Sequence, residues 1–193
     1  EEKISSLIQI RDVCEELHDW AKALKVHQEL LETKDTTCDD WRRLGILQRR
    51  TEQVGAARLS YEKALELAST LEDKALVEIS QAGMYFQLGD WEKALALLKV
   101  ASPQEDETKI ECFRDQGLVL RTMDRNQEAL ESYANAVQLA TDSETRIGLR
   151  MDMADMHAAL KQTEEALELY NAIVDECPHD PALQSILHHK IGR

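Results

Sequence analysis

The chain has 193 residues, of which 43% are hydrophobic and 31% charged, so it holds enough apolar residues for a core without metals or disulfides. Its net charge of −14 disfavours nucleic acid and anionic membranes as partners, because binding to both depends on lysine and arginine meeting phosphate groups. No apolar run approaches the roughly 18 residues of a membrane span. The four cysteines, Cys14, Cys38, Cys112 and Cys177, form no CxxC pair, which predicts a reducing, cytoplasmic environment.

The sequence repeats one pattern along nearly its whole length. Five segments each contain a helical stretch, a polar turn and a second helical stretch with an early alanine; they read LHDWAKALKVHQEL, RTEQVGAARLSYEKAL, LGDWEKALALLKVA, MDRNQEALESYANAV and KQTEEALELYNAI. The alanines are Ala23, Ala57, Ala94, Ala129 and Ala166, separated by 34, 37, 35 and 37 residues. We predict one domain over residues 1–193, with repeats near 4–37, 38–71, 75–108, 110–143 and 147–180, and with 181–193 as a capping helix or the start of a sixth repeat.

The five segments resemble the tetratricopeptide repeat, a helix-turn-helix unit with a W-x2-L-G-x2-Y pattern in its first helix and an alanine and an aromatic residue in its second. The second segment places Trp41, Leu44, Gly45, Ala57, Tyr61 and Ala64 in this pattern, with Gln48 where the family has tyrosine. The first segment departs most, because Arg11 replaces the small residue and His27 the aromatic one. The resemblance implies an all-α fold, a right-handed α-solenoid of stacked antiparallel helix pairs with a concave surface.

Local signals place contacts and boundaries within this pattern. The small residues Gly45, Ala82, Gly117 and Ala154 are expected to let the second helix of each repeat approach the first closely. Ser102-Pro103-Gln104-Glu105 predicts a helix that begins at Pro103 behind a serine cap, and Asp180-Pro181 gives part of the same signal. The two longer separations predict three extra residues near 69–73 and near 141–146, as longer turns or as lengthened helix ends.

Motifs of catalysis and of metal binding are missing from the chain. It contains no HExxH, CxxC, GxSxG, P-loop or GxGxxG, so we predict neither an enzyme nor a cofactor or metal site. Cys177-Pro178-His179 is interpreted as a turn between repeats rather than as two ligands or a thiol and its base. His27, His157, Trp20, Trp41 and Trp91 fall at packing positions of the repeat and are interpreted as structural.

The resemblance implies that a ligand would contact the first helix of each repeat at a fixed set of positions. Five of the twelve arginines and none of the eleven lysines fall there, and arginine binds carboxylates in a bidentate way that lysine cannot. A less polar strip lies between the arginine-bearing repeats, where Gly83 leaves room for a ligand. The predicted peptide-binding residues are Arg42, Arg49, Ile79, Gly83, Phe86, Arg114, Leu118 and Arg121. No repeat has the Lys and Asn clamp with which some relatives bind chaperone tails.

These observations predict an adaptor or scaffold that binds a peptide or domain of another protein, with an acidic segment as the expected ligand. Two alternatives stay open. One is self-assembly through the repeat ends or the terminal helix, and the other is a substrate-selecting domain of a larger enzyme. The chain begins Glu1-Glu2 without a methionine, which favours a fragment of a longer protein.

Overall fold

A computed structural model describes residues 2–177 and 181–192 of the chain, and all regular structure in these ranges is helical. The helices are α1 (Glu2–Glu16), α2 (Trp20–Thr33), α3 (Cys38–Arg50), α4 (Val54–Leu67), α5 (Leu71–Gln87), α6 (Trp91–Val100), α7 (Asp106–Thr122), α8 (Asn126–Leu139), α9 (Ser143–Ala159), α10 (Thr163–Glu176) and α11 (Pro181–Ile191). Consecutive helices pack as pairs, α1 with α2 and so on to α9 with α10. Each pair corresponds to one of the five repeats of the sequence.

The chain divides into two compact units. The first, Glu1–Ser102, contains α1 to α6 and therefore three helix pairs. The second, Pro103–Arg193, contains α7 to α10 and the additional helix α11. Leu187 of α11 is fully buried in a cluster with Ala154, Ala166, Tyr170 and Ile173, so α11 packs against the fifth pair as an integral part of the second unit.

The first helix of every pair ends in the same turn, in which one residue adopts a left-handed backbone conformation. These residues are His18, Glu52, Gly89, Asp124 and Lys161, with φ values of 58°, 63°, 76°, 58° and 62°. In the first turn His18 N–H donates to Glu15 O and Asp19 N–H to Cys14 O, which is the Schellman pattern, and the other four turns repeat it. The residue after the left-handed one is the N-cap of the second helix. At two of these positions Asp19 and Asp90 accept a hydrogen bond from a backbone N–H of α2 and of α6.

Each pair is closed by two residues that stand sixteen positions apart, the first on its first helix and the second on its second helix. A Cβ atom on Gly45 would lie 2.5 Å from the ring of Tyr61, and one on Gly117 would lie 2.7 Å from the ring of Tyr133. Both tyrosines are almost fully buried. The expected close approach of the helices at these glycines is therefore present, and the tyrosine ring fills the space that a side chain would occupy.

Neighbouring pairs within a unit are joined by apolar contacts between a second helix and the next first helix. In the first unit Ala23 and Leu24 of α2 share a buried cluster with Leu44 and Leu47 of α3. Within the units, α2 therefore lies between α1 and α3, α4 between α3 and α5, and α8 between α7 and α9.

Helix boundaries differ from the sequence prediction in two places. The second unit's first helix begins at Asp106 rather than Pro103, because Glu105 is extended and Ser102 Oγ donates to Val100 O at the end of α6 instead of capping α7. The extra residues near 69–73 and 141–146 lengthen first helices, since α5 and α9 each span 17 residues and begin after caps at Thr70 and Asp142. The predictions for Pro178, His179 and Asp180 lie outside the described residues.

Candidate functional site

Two first helices carry the same arginine, aliphatic, arginine pattern at positions i, i+4 and i+7, which lie on one face of a helix. The α3 stripe is Arg42, Ile46 and Arg49, in the first unit. The α7 stripe is Arg114, Leu118 and Arg121, in the second unit. Because both stripes sit in the same register relative to the glycine of their pair, the two units present related side chains from equivalent helix positions.

Arg42 is engaged within the first unit. Its guanidinium donates to Asp39 Oδ1 from Nε at 3.1 Å and also from Nη2. Its Nη1 lies 3.5 Å from Ser80 Oγ of α5. An acidic ligand would therefore compete with a carboxylate three residues away on the same helix.

Arg49 is also engaged within the first unit. Its Nη1 donates to Gly83 O at 3.1 Å, which joins α3 to α5. A Cβ atom on Gly83 would lie only 3.1 Å from that same Nη1. The space beside Gly83 is thus filled by Arg49, and the expectation that Gly83 leaves room for a ligand is wrong for this structure.

Buried polar groups surround the inner end of Arg49. Its Nε and the hydroxyl of Tyr61 are both buried, and neither has a hydrogen-bond partner among the described residues. Burial raises the pKa of Tyr61 to about 12, and the positive charge of Arg49 opposes this rise. The half-buried Arg49 therefore lies beside the phenol of Tyr61 and joins α3 to α5 within the first unit.

The apolar residues predicted for the first unit differ in their exposure. Ile79 is only 3% exposed, so it belongs to the core and offers a ligand almost no surface. Phe86 is half-buried and keeps part of its ring accessible. Of the two, only Phe86 is placed to contact a partner.

The α7 stripe is more accessible than the α3 stripe. Arg114 is exposed, with its Nε 3.7 Å from Asp115 Oδ1, a loose contact. Arg121 Nη1 lies 3.1 Å from Asp152 Oδ1 and thereby joins α7 to α9. Leu118, between the two arginines, is half-buried.

Carboxylates lie close to both arginines of the α7 stripe. Arg114 borders a shallow depression of about 300 Å³, whose lining includes Glu107, Glu111 and Asp142. Burial raises the pKa of Asp152, the neighbouring Asp155 raises it further, and Arg121 opposes both effects. The second unit therefore presents one open guanidinium and one that is paired to a partly desolvated carboxylate.

A family model described as "Tetratricopeptide repeat" matches residues 114–181, which include the α7 stripe and the fifth helix pair. Residues 114–181 are tetratricopeptide repeats. The comparison with curated proteins found no match.

Solved structures agree with this assignment over nearly the whole chain. The PilF structure from Pseudomonas aeruginosa is 20% identical, with a TM-score of 0.73 over 98% of this chain and 83% of that one. The tetratricopeptide protein TTC0263 from Thermus thermophilus is 17% identical, with a TM-score of 0.69 over 96% and 97%. MamA from Desulfovibrio magneticus RS-1 is 15% identical, with a TM-score of 0.65 over 93% and 98%. The predicted family and the all-α fold class are confirmed.

The tetratricopeptide fold is in general a non-catalytic scaffold for protein interactions. Within the described part of the chain, no group of three or more His, Cys, Asp or Glu side chains is arranged to hold a metal ion. None of the helices in that part is both long and apolar enough to cross a membrane.

Lys190 of α11 is a residue that the sequence analysis missed. Asp155 accepts hydrogen bonds from the Tyr170 hydroxyl and from Lys190 of α11, and the Lys190 ammonium lies 5.6 Å from the centre of the Tyr170 ring. Lys190 lies outside the five repeats, so no repeat position pointed to it. Trp91, interpreted as structural, is 40% exposed and so contributes to the surface as well.

Proposed function

We propose that this chain is an adaptor or scaffold that binds a segment of another protein through the first helices of its tetratricopeptide repeats. Arg114 carries the proposal, because it is the exposed guanidinium of a helix face that also offers the half-buried Leu118. Arginine is one of the residue types that are enriched at interface hot spots. In this proposal the guanidinium binds a carboxylate of the partner and Leu118 contacts an apolar side chain.

The α3 stripe has a supporting part in the proposal. Arg42 can exchange its partner Asp39 for a carboxylate of the bound protein, since Asp39 is on the same helix and exposed to water. Phe86 supplies partly exposed apolar surface in the same unit. Arg49, Gly83 and Ile79 are left to structural roles because their side chains or backbone are occupied by contacts inside the first unit.

The proposed location is a reducing compartment such as the cytoplasm. None of the four cysteines forms a disulfide, and Cys14, Cys38 and Cys112 are buried. Small buried thiols of this kind pack as apolar side chains, which supports a compartment where they stay reduced.

A capture experiment with matched variants tests the proposal. The wild type, Arg114→Glu, Arg114→Lys and the control Arg58→Glu are immobilised and exposed to cell extract, and retained proteins are identified by mass spectrometry. Arg58 is an exposed arginine of α4 that contacts Glu62 loosely at 3.7 Å, so its variant makes the same charge change away from the first helices. We expect a partner that is retained by the wild type and Arg58→Glu, lost with Arg114→Glu and weakened with Arg114→Lys, because lysine lacks the bidentate geometry.

The captured partner is then tiled as peptides, and binding is measured at rising salt. An acidic peptide whose affinity falls with salt supports the proposed chemistry. A partner held equally by the wild type and Arg114→Glu would place binding on another surface and overturn the proposal.

A further inference from the structure

Arg49 of α3 and Arg121 of α7 stand at the same place in their repeats, four residues after the glycine that packs on the tyrosine ring. Arg121 reaches across to α9, where its Nη1 lies 3.1 Å from Asp152 Oδ1. Arg49 reaches across to α5 in the same way, but there it meets the carbonyl oxygen of Gly83, at 3.1 Å. Within residues 2–177 and 181–192, Arg49 forms no ion pair. The first unit therefore has the arginine of this contact without the carboxylate.

The difference between the two contacts comes from one residue of the following first helix. Asp152 stands two residues before Ala154, the small residue of its repeat, and the residue at that place in α5 is Ser80. Ser80 follows Arg49 by 31 residues, the same separation as between Arg121 and Asp152. Serine is shorter than aspartate and carries no charge. The second unit thus supplies its own carboxylate at this place, and the first unit supplies none.

Hydrogen-bond donors lie around the half-buried Ser80. Arg42 Nη1 lies 3.5 Å from Ser80 Oγ, and Gly83, the acceptor of Arg49 Nη1, is about one helical turn further along α5. Arg49 Nη2 has no hydrogen-bond partner in the described part of the chain and, unlike Nε, is not fully buried. The bond to Gly83 O can therefore stay in place while Nη2 donates to a second acceptor.

The buried tyrosines beside the two arginines have different electrostatic surroundings. Burial raises the pKa of both Tyr61 and Tyr133 to about 12. The neighbouring charges that act most strongly on Tyr61 are three arginines, with Arg49 first, and all three lower its pKa. At Tyr133 the strongest is Asp152, which raises the pKa, followed by Arg121, which lowers it. Positive charge near Tyr61 thus lacks the carboxylate that balances it near Tyr133.

We propose that Ser80 marks a binding site for the side-chain carboxylate of an aspartate or glutamate of a partner protein. The carboxylate accepts hydrogen bonds from Arg49 Nη2 and Arg42 Nη1 and occupies the place that Asp152 has in the second unit. Partial burial strengthens such a pair relative to one in open water. This inference rests on the proposed function in so far as the carboxylate belongs to a bound protein, but it uses neither Arg114 nor α7.

A minimal side-chain probe tests the proposal by NMR. The probe is glutamate with an acetylated amino group and an amidated α-carboxyl group, so its only charge is the side-chain carboxylate. The same derivative of glutamine is the neutral control. Each compound is titrated at constant ionic strength into isotope-labelled protein, and the backbone N–H signals of residues 80 and 83 report binding. The proteins are the wild type, Ser80→Asp, Ser80→Asn and Arg58→Glu, which makes a charge change away from the site.

We expect the glutamate probe to shift both signals to saturation in the wild type and in Arg58→Glu, and the glutamine probe to bind about tenfold more weakly or less. Ser80→Asp should weaken the glutamate probe about tenfold or more, because its own carboxylate occupies the site. Ser80→Asn has the same size without the charge and should weaken the probe far less. Ser80→Asp should also have a higher Tm than Ser80→Asn, since it forms the ion pair with Arg49.

Equal shifts with both probes, or none with either, would overturn the proposal, as would undiminished binding of the glutamate probe to Ser80→Asp. A Tm of Ser80→Asp at or below that of Ser80→Asn would overturn it too, because the site would then not favour a carboxylate. These failures differ from failure of the proposed function. The NMR signals lie in α5 of the first unit, whereas the proposed function fails when a captured partner is retained by Arg114→Glu.

Discussion

Arg11 Nη1 lies 3.4 Å from Nδ1 of the fully buried His27, at the two positions where the second and fourth repeats place glycine and tyrosine. Arginine can only donate a hydrogen bond, so Nδ1 accepts and the ring is the tautomer with a proton on Nε2. His27 Nε2 donates this proton to Asp40 O, at a distance of 2.9 Å between nitrogen and oxygen. Asp40 lies on α3, the first helix of the next repeat. A polar pair thus replaces an aromatic contact and ties the first repeat to the second.

The first prediction concerns the replacement of Arg11 and His27 by the glycine and tyrosine of the second and fourth repeats. Arg11→Gly alone leaves His27 Nδ1 without its donor and opens a cavity, and His27→Tyr alone forces a larger ring against Arg11. We expect each single variant to lose about 1–3 kcal/mol of unfolding free energy. The double variant recreates the pairing of Gly45 with Tyr61 and should lose less than the sum of the two. Urea denaturation measures all four proteins, and strictly additive losses would contradict a coupled pair.

The same histidine should make stability depend on pH. Burial lowers the pKa of His27 below its ordinary value, and the nearby Arg11 and Arg43 lower it further, against the raising effects of the hydrogen bond to Asp40 and the charge of its carboxylate. Above the ordinary value of about 6.5 the ring is neutral in both the folded and the unfolded chain. As pH falls below that value the unfolded chain takes up a proton that the folded chain resists, so stability is lost.

Thermal melts of the wild type and His27→Gln between about pH 7.5 and 5 check this effect. The wild type should lose stability more steeply over this range than His27→Gln, which has no proton to gain. Parallel curves would show that His27 does not titrate differently on unfolding.

Because Gly45 is closely packed, adding a single methyl group there should lower the free energy of unfolding. Gly45→Ala places a Cβ atom 2.5 Å from the Tyr61 ring, and we expect a loss of about 1–3 kcal/mol from overpacking. Gly148 of α9 has open space at its Cβ position, so the control Gly148→Ala should gain about 0.5–1 kcal/mol from helix propensity alone.

A second change should relieve the strain at Gly45. The third repeat fills the same two places with Ala82 and Leu98, both almost fully buried. Tyr61→Leu added to Gly45→Ala recreates that pair and should recover part of the loss. A double variant that is less stable than the additive expectation would rule out the ring as the source of the strain.

The left-handed turn residues offer sites for stabilisation. Glu52 and Lys161 hold φ values of 63° and 62° with ordinary side chains, a conformation that glycine adopts without steric cost. Glu52→Gly and Lys161→Gly should each stabilise the chain by about 1 kcal/mol, and Gly89→Ala should destabilise it by a similar amount. Differential scanning calorimetry compares the three variants, and a fall in Tm for Glu52→Gly would contradict the assigned conformation.

Much of the fold was predictable because small and aromatic residues recur at constant spacing. The five alanines and the pairs of Gly45 with Tyr61 and of Gly117 with Tyr133 gave the helix pairs and their contacts from the sequence alone. The start of α7 was less predictable, since Ser102 has two places to bond, at the end of α6 and at the start of the next helix.

The candidate site was predictable in outline only. Helix periodicity placed Arg42, Arg49, Arg114 and Arg121 on matching faces, but the partner of a long side chain depends on the helix across from it. Gly83 lies 34 residues from Arg49 in the sequence, and no local sequence pattern predicts the hydrogen bond between them. The structure was therefore needed to tell which of these side chains are exposed and which form contacts inside a unit.

Five different residues occupy the left-handed turn position, namely His18, Glu52, Gly89, Asp124 and Lys161, and they include acidic, basic and neutral side chains. Backbone hydrogen bonds hold all five turns in one shape whichever side chain is present. Single substitutions at these exposed positions can therefore reverse the charge at the turns of each unit with little effect on the fold. Mutational drift on this edge can retune long-range attraction and repulsion between the protein and its surroundings while the helix pairs stay as they are.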